Sequence, residues 1–600
     1  MGTGSAGHET AGHAADEGVG QAGTQPDVRR TRRASAGTDG RLTASSDPPQ
    51  GDPSVPVVLG IRSLPHAFDP MRPLAPWAHR IAADLLFEGL TRRDSQGAPW
   101  ARPQLADHCV VDSVEATTAV RCHLRADARF HDGAQVTTAD VLYSVDHWLD
   151  PRREWNRLQF GLGAMSGVRA VDGPFTTPTI DGGPGADPSR WVEVRFRRPD
   201  PLALEHLAEI KIVPVRQHRG HRSQFSRQPV GSGPMRLESM DDDEIVLVST
   251  RAMGARTATD RIVIRHAPDG AKALTRLRRG ELDYLDAMTP DHVPVELAKP
   301  GMAARFEAFL ASPPRYDLLL YNVRSPPQAG ARMRAALDAT IPRFRLQSAA
   351  YPRFELSLSA PVDLYGPSRI DLAALAAASD PRDVSAGLPT LPFNNDPAEA
   401  MRGALLLDAL GWKRERRVRR RDGTALRLAL MWHGGSGRAQ EVASVLRTAF
   451  LAQGIQLPYA TASWAYVRLL LRRGDYELFL VQLAQHSDAD LFPLFHRDGA
   501  LNITGVRDVE LDAALEAYRR AQTRLQRDAA KAAVADHLKR LHVVSVLRSP
   551  AHVSIVSRRL AGLRFCDDLP CLDSLHHSSR ENDWWQRRPQ VGGVNEDQNR

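Results

Sequence analysis

The sequence predicts an α/β fold, and two observations support this class. Short apolar runs typical of strands alternate with segments whose apolar residues recur every three to four positions; the runs are 262–264, 317–321, 426–431 and 477–482. Such alternation is typical of domains in which helices cover a sheet. The composition agrees, because 42% apolar and 25% charged residues in a chain of 600 are enough for large cores. Length alone, at about 150 residues per domain, allows about four domains.

The composition excludes several classes of protein. No run approaches the roughly 18–20 consecutive apolar residues of a membrane-spanning helix, and four cysteines are too few for a disulfide-built scaffold. The net charge of +7 comes from 78 basic and 71 acidic residues. Because the basic residues are spread along the chain, no nucleic-acid partner is expected. The densest basic run, 413–421, ends at Asp422-Gly423 and is interpreted as a solvated hairpin.

Both ends of the chain are predicted to be tails. Residues 1–55 contain almost no large apolar side chains, so burial cannot offset the entropy of ordering them, and a disordered tail is expected. The arginine pairs at 29–30 and 32–33 precede a polar stretch, whereas a signal peptide continues with about 7–15 apolar residues. No export signal is therefore recognised. Residues 581–600 are polar and are predicted to be a C-terminal tail.

A strand at 56–62 is the first predicted element of the folded part. A hairpin follows farther along, in which 109–111 and 119–124 flank a polar turn. Pairing these strands about their midpoint places Cys109 opposite Cys122, close enough to bond. A disulfide and two small buried thiols both remain open as interpretations.

Two other cysteines, Cys566 and Cys571, flank a short loop that contains proline. They could close a small ring by forming a disulfide. Because neither a His nor a further Cys stands beside them in the sequence, we expect no metal site at this loop.

Helical patterns recur in the later part of the chain. Asp396-Pro397 has the form of an N-cap followed by proline at the first helical position, and Gly411 is a typical stop. Apolar residues at 442, 445, 446, 449 and 450 share one helical face, and the segments 511–518 and 534–541 have similar faces. These helices alternate with the predicted strands, as an α/β fold requires.

No catalytic motif is found in the sequence. The zinc motif H-E-x-x-H and the phosphate-binding loop G-x-x-x-x-G-K-[ST] are both absent. The segment Gly434-Gly-Ser-Gly437 resembles a nucleophile elbow, but Arg438 stands where that motif requires its last glycine. We therefore expect no enzyme activity, no catalytic residue, no metal and no cofactor.

A series of motifs resembles one protein family, and the motifs follow one another in the same order as in that family. The first are Phe87-Glu-Gly-Leu90, Pro103-Gln-Leu-Ala106, Phe130-His-Asp-Gly133 and Thr138-Ala-Asp-Val141. Farther along come Pro229 through Pro234, Arg279 through Asp283, Leu320-Tyr-Asn322, Asn395-Asp-Pro397, Leu410-Gly-Trp412 and Gly474 through Leu478. Over about residues 56–565 the chain resembles the family 5 extracytoplasmic solute-binding proteins of ABC transporters, the dipeptide-, oligopeptide- and nickel-binding group.

The resemblance implies a two-lobe fold of the periplasmic-binding-protein type, class II. Its parts would be lobe I at 56–264, with an inserted subdomain at about 86–200, lobe II at 265–483, and a return to lobe I at 484–580. The chain would cross between the lobes near 260–266 and 481–486. A ligand held between the lobes stabilises the closed state through its differential affinity.

The resemblance also implies where a ligand would bind. In dipeptide-binding members an aromatic residue precedes an Asp that pairs with the ligand's ammonium group. Trp464 preserves the aromatic residue, but His486 occupies the counted position of that Asp, and Asp488 follows. A His with a pKa of about 6.5 cannot replace a permanent carboxylate in holding a cation. Free peptides are thus disfavoured unless Asp488 takes over, and a nickel chelate, a sugar or an anionic ligand is an alternative. His486 could also be a structural residue bonded to the backbone.

Further contact residues follow from the same resemblance. Trp432 and His433 come after a strand of lobe II, and Trp432 could be a stacking platform or a core residue. Asn322 could fix either the ligand or its own turn. Phe68 follows the first strand and would shape the floor of the cleft, and Gln485 lies on the predicted crossing strand.

Two functions are compatible with this resemblance. The first is a monomeric periplasmic or cell-envelope receptor that captures a small molecule or peptide and delivers it to an ABC permease. The second is a cytoplasmic ligand-sensing domain derived from such a receptor, which acts in regulation without transport. Location discriminates between them, since the first requires export.

Overall fold

The computed structural model describes residues 54–577, with these gaps: 73, 114–116, 151–161, 175–189, 251–257, 289–292, 300, 312–314, 347–354, 357–360, 362–367, 379–398, 485–488, 551 and 567–568. The predicted tails therefore lie outside the described residues, apart from residues 54 and 55. Among the residues described, no helix combines the length and apolar character needed to cross a membrane.

The strands are β1 (Val57–Ile61), β2 (Thr91–Arg93), β3 (Ala101–Pro103), β4 (Ala106–Asp112), β5 (Thr118–Leu124), β6 (Met165–Val171), β7 (Trp191–Phe196), β8 (Met235–Met240), β9 (Glu244–Ser249), β10 (Arg261–His266), β11 (Tyr284–Met288), β12 (Phe306–Ala311), β13 (Arg315–Tyr321), β14 (Glu355–Leu356), β15 (Ser368–Ile370), β16 (Lys413–Glu415), β17 (Val418–Arg421), β18 (Thr424–Ala425), β19 (Leu430–His433), β20 (Tyr459–Ala462), β21 (Leu478–Ala484), β22 (Val544–Pro550), β23 (His552–Ser557), β24 (Leu560–Ala561), β25 (Phe565–Cys566), β26 (Leu569–Pro570) and β27 (His576–His577).

The helices are α1 (Pro76–Ile81), which continues as a π-helical turn (Ala82–Leu86), α2 (Thr138–Leu149), α3 (Ala203–Leu207), α4 (Val215–His218), α5 (Arg222–Arg227), α6 (Gly270–Arg278), α7 (Val293–Leu297), α8 (Met302–Arg305), α9 (Ala331–Ala339), α10 (Arg343–Leu346), α11 (Leu372–Ala377), α12 (Glu399–Ala409), α13 (Gly437–Ala452), α14 (Trp464–Arg473), α15 (Phe492–Phe495), α16 (Val509–Arg520) and α17 (Arg524–Leu541). Short 3₁₀ turns span Leu162–Ala164 and Leu572–Ser574. Helices and strands alternate along most of the chain, which confirms the α/β class.

Two large mixed sheets organise the fold. The first sheet has the strand order β15-β12-β23-β11-β1-β10-β9-β8, and the second has the order β14-β22-β13-β21-β19-β20. β1 runs parallel to β10 and β11 in the first sheet, and β19 runs parallel to β20 and β21 in the second. Each sheet has a core of its own, and a third cluster of buried side chains contains residues from both sheets.

A smaller antiparallel sheet, β4-β5-β7-β6, lies between β1 and β8 in the sequence. We call it the inserted sheet. Helix α2 covers one of its faces, where Val141 and Val145 of the helix pack in one cluster with Val120 and Val194 of the strands. This unit falls within the 86–200 range that was expected for an inserted subdomain.

The strand pairing shows to which sheet the segments of the expected lobe crossings belong. Residues 261–266 form β10, which pairs with β1 and β9 inside the first sheet, and 478–484 form β21, which pairs with β13 and β19 inside the second. The chain passes from the first sheet to the second between β12 and β13, goes back to the first sheet for β15, which lies between β14 and β19 in the sequence, and returns finally between β22 and β23. These crossings concern sheet membership, and the lobe boundaries at 264–265 and 483–484 stay predictions.

The predicted cysteine hairpin is confirmed in its register. Cys109 of β4 lies opposite Cys122 of β5, their Cα atoms are 4.1 Å apart, and the two sulfurs are bonded. Cys566 and Cys571 also form a disulfide. Of the interpretations left open by the sequence, the structure adopts the disulfide at both pairs.

Other local predictions have mixed outcomes. The basic run at 413–421 forms β16 and β17, as a hairpin requires, but Arg419 is buried and donates hydrogen bonds to Asp408 and to the carbonyl of Trp412. The predicted cap at Asp396 lies outside the described residues, and Gly411 ends the region of α12 with a φ of 84°.

Candidate functional site

Two of the places where the chain passes between the large sheets, from β12 to β13 and from β22 to β23, identify one edge of each sheet. In the first sheet, β1, β10, β11 and β12 run in the same direction, so their carboxyl ends lie on the edge where β12 leaves and β23 enters. In the second sheet, β19, β20, β21 and β22 end on the edge where β13 begins. We call these the crossing edges. Ligands of open α/β sheets bind outside the carboxyl ends of strands, so the candidate site lies between the crossing edges.

An aromatic pair lies on the crossing edge of the second sheet. His433 is the last residue of β19, and Trp464 is the first residue of α14, which follows β20. Their rings stack with centroids 4.9 Å apart and planes 17° apart. A backbone hydrogen bond of 3.0 Å from Gly434 to Ala462 holds the two strand ends together. Since 43% of Trp464 is exposed, the pair presents an aromatic surface that the core does not use.

Trp432 precedes His433 on β19 and points to the opposite face of the sheet, as alternation along a strand requires. It is 3% exposed and belongs to the core of the second sheet. Its ring packs against Tyr459, with centroids 5.2 Å apart. Of its two possible roles, the structure favours the core residue over the stacking platform.

Asn322 follows β13 and is fully buried. Because β13 starts at the crossing edge, its carboxyl end and Asn322 lie at the opposite edge of the second sheet, away from the candidate site. The amide nitrogen donates to the carbonyls of Gly474 and Tyr476 at 2.8 and 2.7 Å, and the amide oxygen accepts from Arg324. Of the two roles that the sequence leaves open for Asn322, these hydrogen bonds favour the one in which it fixes its own turn.

Phe68 lies beyond the carboxyl end of β1, on the crossing edge of the first sheet. Its ring is fully buried in the core of that sheet, so it packs beneath the residues of the edge and presents no surface to solvent. The next residue, Asp69, accepts hydrogen bonds from the Met71 amide and from His218. Burial alone would raise the pKa of Asp69, but the interactions with His218 outweigh burial and lower it.

A polar cluster on the same edge was not found by sequence reasoning. Asp286 stands near the carboxyl end of β11, where the indole of Trp77 donates a hydrogen bond of 2.7 Å to its Oδ2 atom. His552, the first residue of β23, lies with its Nε2 atom 3.7 Å from Oδ1 of Asp286. Within the described part of the chain, these two buried atoms have no hydrogen-bond partner. The signal in the sequence was an acidic residue inside an otherwise apolar strand, Tyr284 through Met288.

A second polar group lies on the crossing edge of the second sheet. Asp317 of β13 accepts a hydrogen bond of 3.1 Å from Gln482 of β21 and one of 3.3 Å from Arg438 of α13. Arg438 is 38% exposed in its side chain. The crossing edge of the second sheet thus also carries a guanidinium group.

Three predicted contact residues, Gln485, His486 and Asp488, follow β21 directly and lie outside the described residues. Asp490, the next described acidic residue, is used structurally. It accepts a 2.6 Å hydrogen bond from Arg519 of α16 and one of 3.0 Å from the Phe492 amide. Asp490 is therefore engaged in an ion pair within the protein.

Comparison with known proteins agrees with this architecture. The model of "Bacterial extracellular solute-binding proteins, family 5 Middle" matches residues 101–499, well over half of the chain. The chain is 22% identical over 322 residues to the probable di/tripeptide-binding protein 5 of Pseudomonas aeruginosa, which covers 51% of this chain and 58% of that protein. The chain spans only about half the length of the curated relatives that it matches first.

Solved structures show the same fold at low sequence identity. The oligopeptide-binding protein AppA of Bacillus subtilis, in complex with a nonapeptide, superposes with a TM-score of 0.54 at 16% identity, covering 88% of this chain and all of that one. NikA of Brucella suis, in complex with Fe(III)-EDTA, superposes with a TM-score of 0.57 at 17% identity, covering 86% of this chain and 98% of that one. Because these two proteins bind such different ligands, the fold alone does not specify one.

The predicted two-lobe fold and the predicted family are both confirmed by these matches. The family consists of transport components without enzymatic activity, which agrees with the lack of a catalytic motif in the sequence. The chain belongs to the bacterial extracellular solute-binding proteins, family 5.

Proposed function

We propose that the protein captures a small organic solute between the two crossing edges and delivers it to an ABC permease. The observation that carries this proposal is the stacked pair of His433 and Trp464, which exposes an aromatic surface at the carboxyl ends of two parallel strands. Indole and imidazole faces of this kind bind planar or apolar groups. A ligand held there would lie where the chain crosses between the sheets.

The first sheet supplies the complementary polar contact in this proposal. The Oδ1 atom of Asp286 is a buried acceptor that receives no hydrogen bond from the described residues, and leaving a buried polar atom without a hydrogen bond costs about 1–3 kcal/mol. A ligand amine or hydroxyl group that donates to Oδ1 would remove this cost. The favoured ligand therefore combines a planar or apolar part for Trp464 with a donor group for Asp286, as a peptide-like amine does.

Capture would work by closure of the two sheets about the segments in which the chain passes between them, two of which are 311–315 and 550–552. A ligand that touches Trp464 on one edge and Asp286 on the other binds the closed arrangement more tightly than the open one, and this difference shifts the equilibrium. The permease would then recognise the closed form. The exposed aromatic surface and the carboxylate of Asp286 lie on different edges, so a ligand that uses both must bridge them.

The two disulfides support a location outside the cytoplasm. Disulfides persist in secreted and periplasmic proteins and are rare in the reducing cytosol. Cys109–Cys122 and Cys566–Cys571 are both bonded. This favours the exported receptor over the cytoplasmic sensing domain, and a non-reducing mass measurement on protein purified from its native cells would test it.

A thermal-shift screen over peptides, glycosides, nickel chelates and organic acids tests the proposed function. A ligand at 100 times its Kd should add about 2.7 kcal/mol of stability. Trp464→Ala and Asp286→Asn should each abolish the shift that the best ligand produces. The matched control is Tyr459→Ala, which removes another exposed aromatic residue at the opposite end of β20. If Trp464→Ala binds as tightly as the wild type, the candidate site is wrong.

A further inference from the structure

The inserted sheet carries a cluster of side chains of the types that can bind metal ions. This sheet is separate from the two large sheets that carry the crossing edges. His108 of β4 and His123 of β5 are direct cross-strand partners. One rung farther along, Cys109 and Cys122 are partners as well and form a disulfide. The two imidazoles therefore stand side by side on one face of a covalently fixed hairpin.

An irregularity in β4 brings a carboxylate to the same place. Ala106 pairs with Leu124 and His108 pairs with His123, so Asp107 is an extra residue that has no partner in β5. In a regular strand the side chains of Asp107 and His108 would point to opposite faces. The bulge turns Asp107 toward the imidazoles, and bulges of this kind commonly redirect a side chain next to a functional site.

The three side chains converge on one point. One carboxylate oxygen of Asp107 lies 2.5 Å from Nδ1 of His108, and the other lies 2.8 Å from Nδ1 of His123. One possible ligand atom from each of the three residues lies within 4.8 Å of the others. A tetrahedral ion with ligands at about 2.0–2.2 Å holds neighbouring ligand atoms about 3.4 Å apart. The half-exposed side chains of Asp107 and His108 can close this difference by rotation.

The ring of His123 is held in place. His123 is 6% exposed, and its Nδ1 atom is the ring nitrogen that faces Asp107. An ion bound by all three residues would therefore replace the hydrogen bonds between the carboxylate and the two Nδ1 atoms. Trp191 packs against both rings, with centroids 4.9 Å from His108 and 5.2 Å from His123, and so limits their movement.

We propose that Asp107, His108 and His123 form a binding site for a divalent transition-metal ion. Two imidazoles and one carboxylate suit Zn²⁺, Cu²⁺ and Ni²⁺ and do not suit Ca²⁺ or Mg²⁺, which prefer oxygen ligands. Three protein ligands leave a position open for water or for a donor from another molecule. The proposal is independent of the solute that binds between the crossing edges, because it uses a different sheet.

Isothermal titration of the full chain with zinc chloride tests the site. The wild type is expected to show a binding event that His108→Ala and Asp107→Ala each weaken by more than about tenfold. Both side chains are about half exposed, so these variants should fold. The matched control is His537→Ala, which changes a second cluster formed by Asp508, Glu510 and His537.

The possible outcomes separate clearly. Weakening in the two hairpin variants with no change in His537→Ala supports the site. Equal binding by the wild type and His108→Ala overturns the proposal, as does a loss that appears only in His537→Ala. Copper titrated in the same way should give an electron paramagnetic resonance spectrum with nitrogen couplings from two imidazoles, and a spectrum without them contradicts the ligand set. A failure here leaves Trp464-dependent solute binding unaffected.

Discussion

A buried ion pair joins helix α17 to the region of the inserted sheet. Arg527, at 1% exposure, donates from Nη2 to both carboxylate oxygens of Glu205 at 3.0 and 2.9 Å. The guanidinium also lies 4.3 Å from the ring centre of Trp100 and 4.6 Å from that of Tyr518. Glu205 belongs to α3, which precedes the first crossing, and α17 lies between two strands of the second sheet. The pair therefore links parts of the chain that belong to different sheets.

Replacing Arg527 with Met removes the charge and keeps most of the side-chain volume. Breaking a buried ion pair by removing one partner costs about 3–5 kcal/mol, because the other charge stays buried. Glu205 keeps a second partner, Arg93, at 3.3 Å, and that side chain is 32% exposed. We therefore expect the lower end of the range, about 3 kcal/mol. The double change Arg527→Met with Glu205→Leu removes both charges and should be less destabilised than Arg527→Met alone.

Urea unfolding followed by circular dichroism measures these effects as shifts of the midpoint at constant slope. Arg540→Met is the control, because Arg540 lies on the same helix as Arg527 and makes an exposed ion pair with Glu510 of α16, and exposed pairs contribute about 0–1 kcal/mol. The reasoning fails if Arg527→Met unfolds at the wild-type midpoint. It also fails if the double variant loses as much as the two single losses added together, since that would show no coupling between the charges.

Three other expectations concern stability. Burial lowers the pKa of His131 to about 4 from 6.5. As the pH falls, the unfolded chain therefore protonates this histidine before the folded chain does, and the free energy of unfolding should fall by up to about 3 kcal/mol from pH 6.5 to pH 4. The urea midpoint of His131→Gln should lack this part of the pH dependence. Gly231→Ala should cost about 3 kcal/mol or more, since a Cβ there overlaps a carbonyl oxygen, while Gly330→Ala, in open space, should unfold like the wild type. Changing both Cys109 and Cys122 to Ser should lower the free energy of unfolding by about 3 kcal/mol in the same assay. An unchanged urea midpoint would contradict a stabilising disulfide between them.

Much of the fold could be predicted because its signals are local. The run at 317–321 lies inside β13, and the helical face at 511–518 lies inside α16, since period and burial are read from neighbouring residues. The cysteine register followed from the symmetry of one hairpin. The crossings could not be predicted in this way, because the sheet to which β10 or β21 belongs depends also on pairing with β1 or β13, which lie far earlier in the sequence.

Part of the candidate site could also be predicted. Trp464 and His433 are predicted as contact residues by the resemblance to the family, which stays a prediction, and both lie at the crossing edge of the second sheet. The cluster of Asp286 with Trp77 and His552 could not be predicted, because its members come from three segments separated by 209 or more positions in the sequence. A buried acid within an apolar strand was the available signal, and only the tertiary fold shows that Trp77 and His552 meet it.

Strand direction decides at which edge of the second sheet each predicted contact residue lies. His433 ends β19, Trp464 follows β20 and Asn322 follows β13, and the sequence treats the three alike. Because β13 runs antiparallel to β21 while β19 and β20 run parallel to it, Asn322 lies at the far edge, and His433 and Trp464 lie at the crossing edge. In a mixed sheet, a position at the end of a strand therefore lies on the crossing edge only when that strand runs toward the place where the chain leaves the sheet.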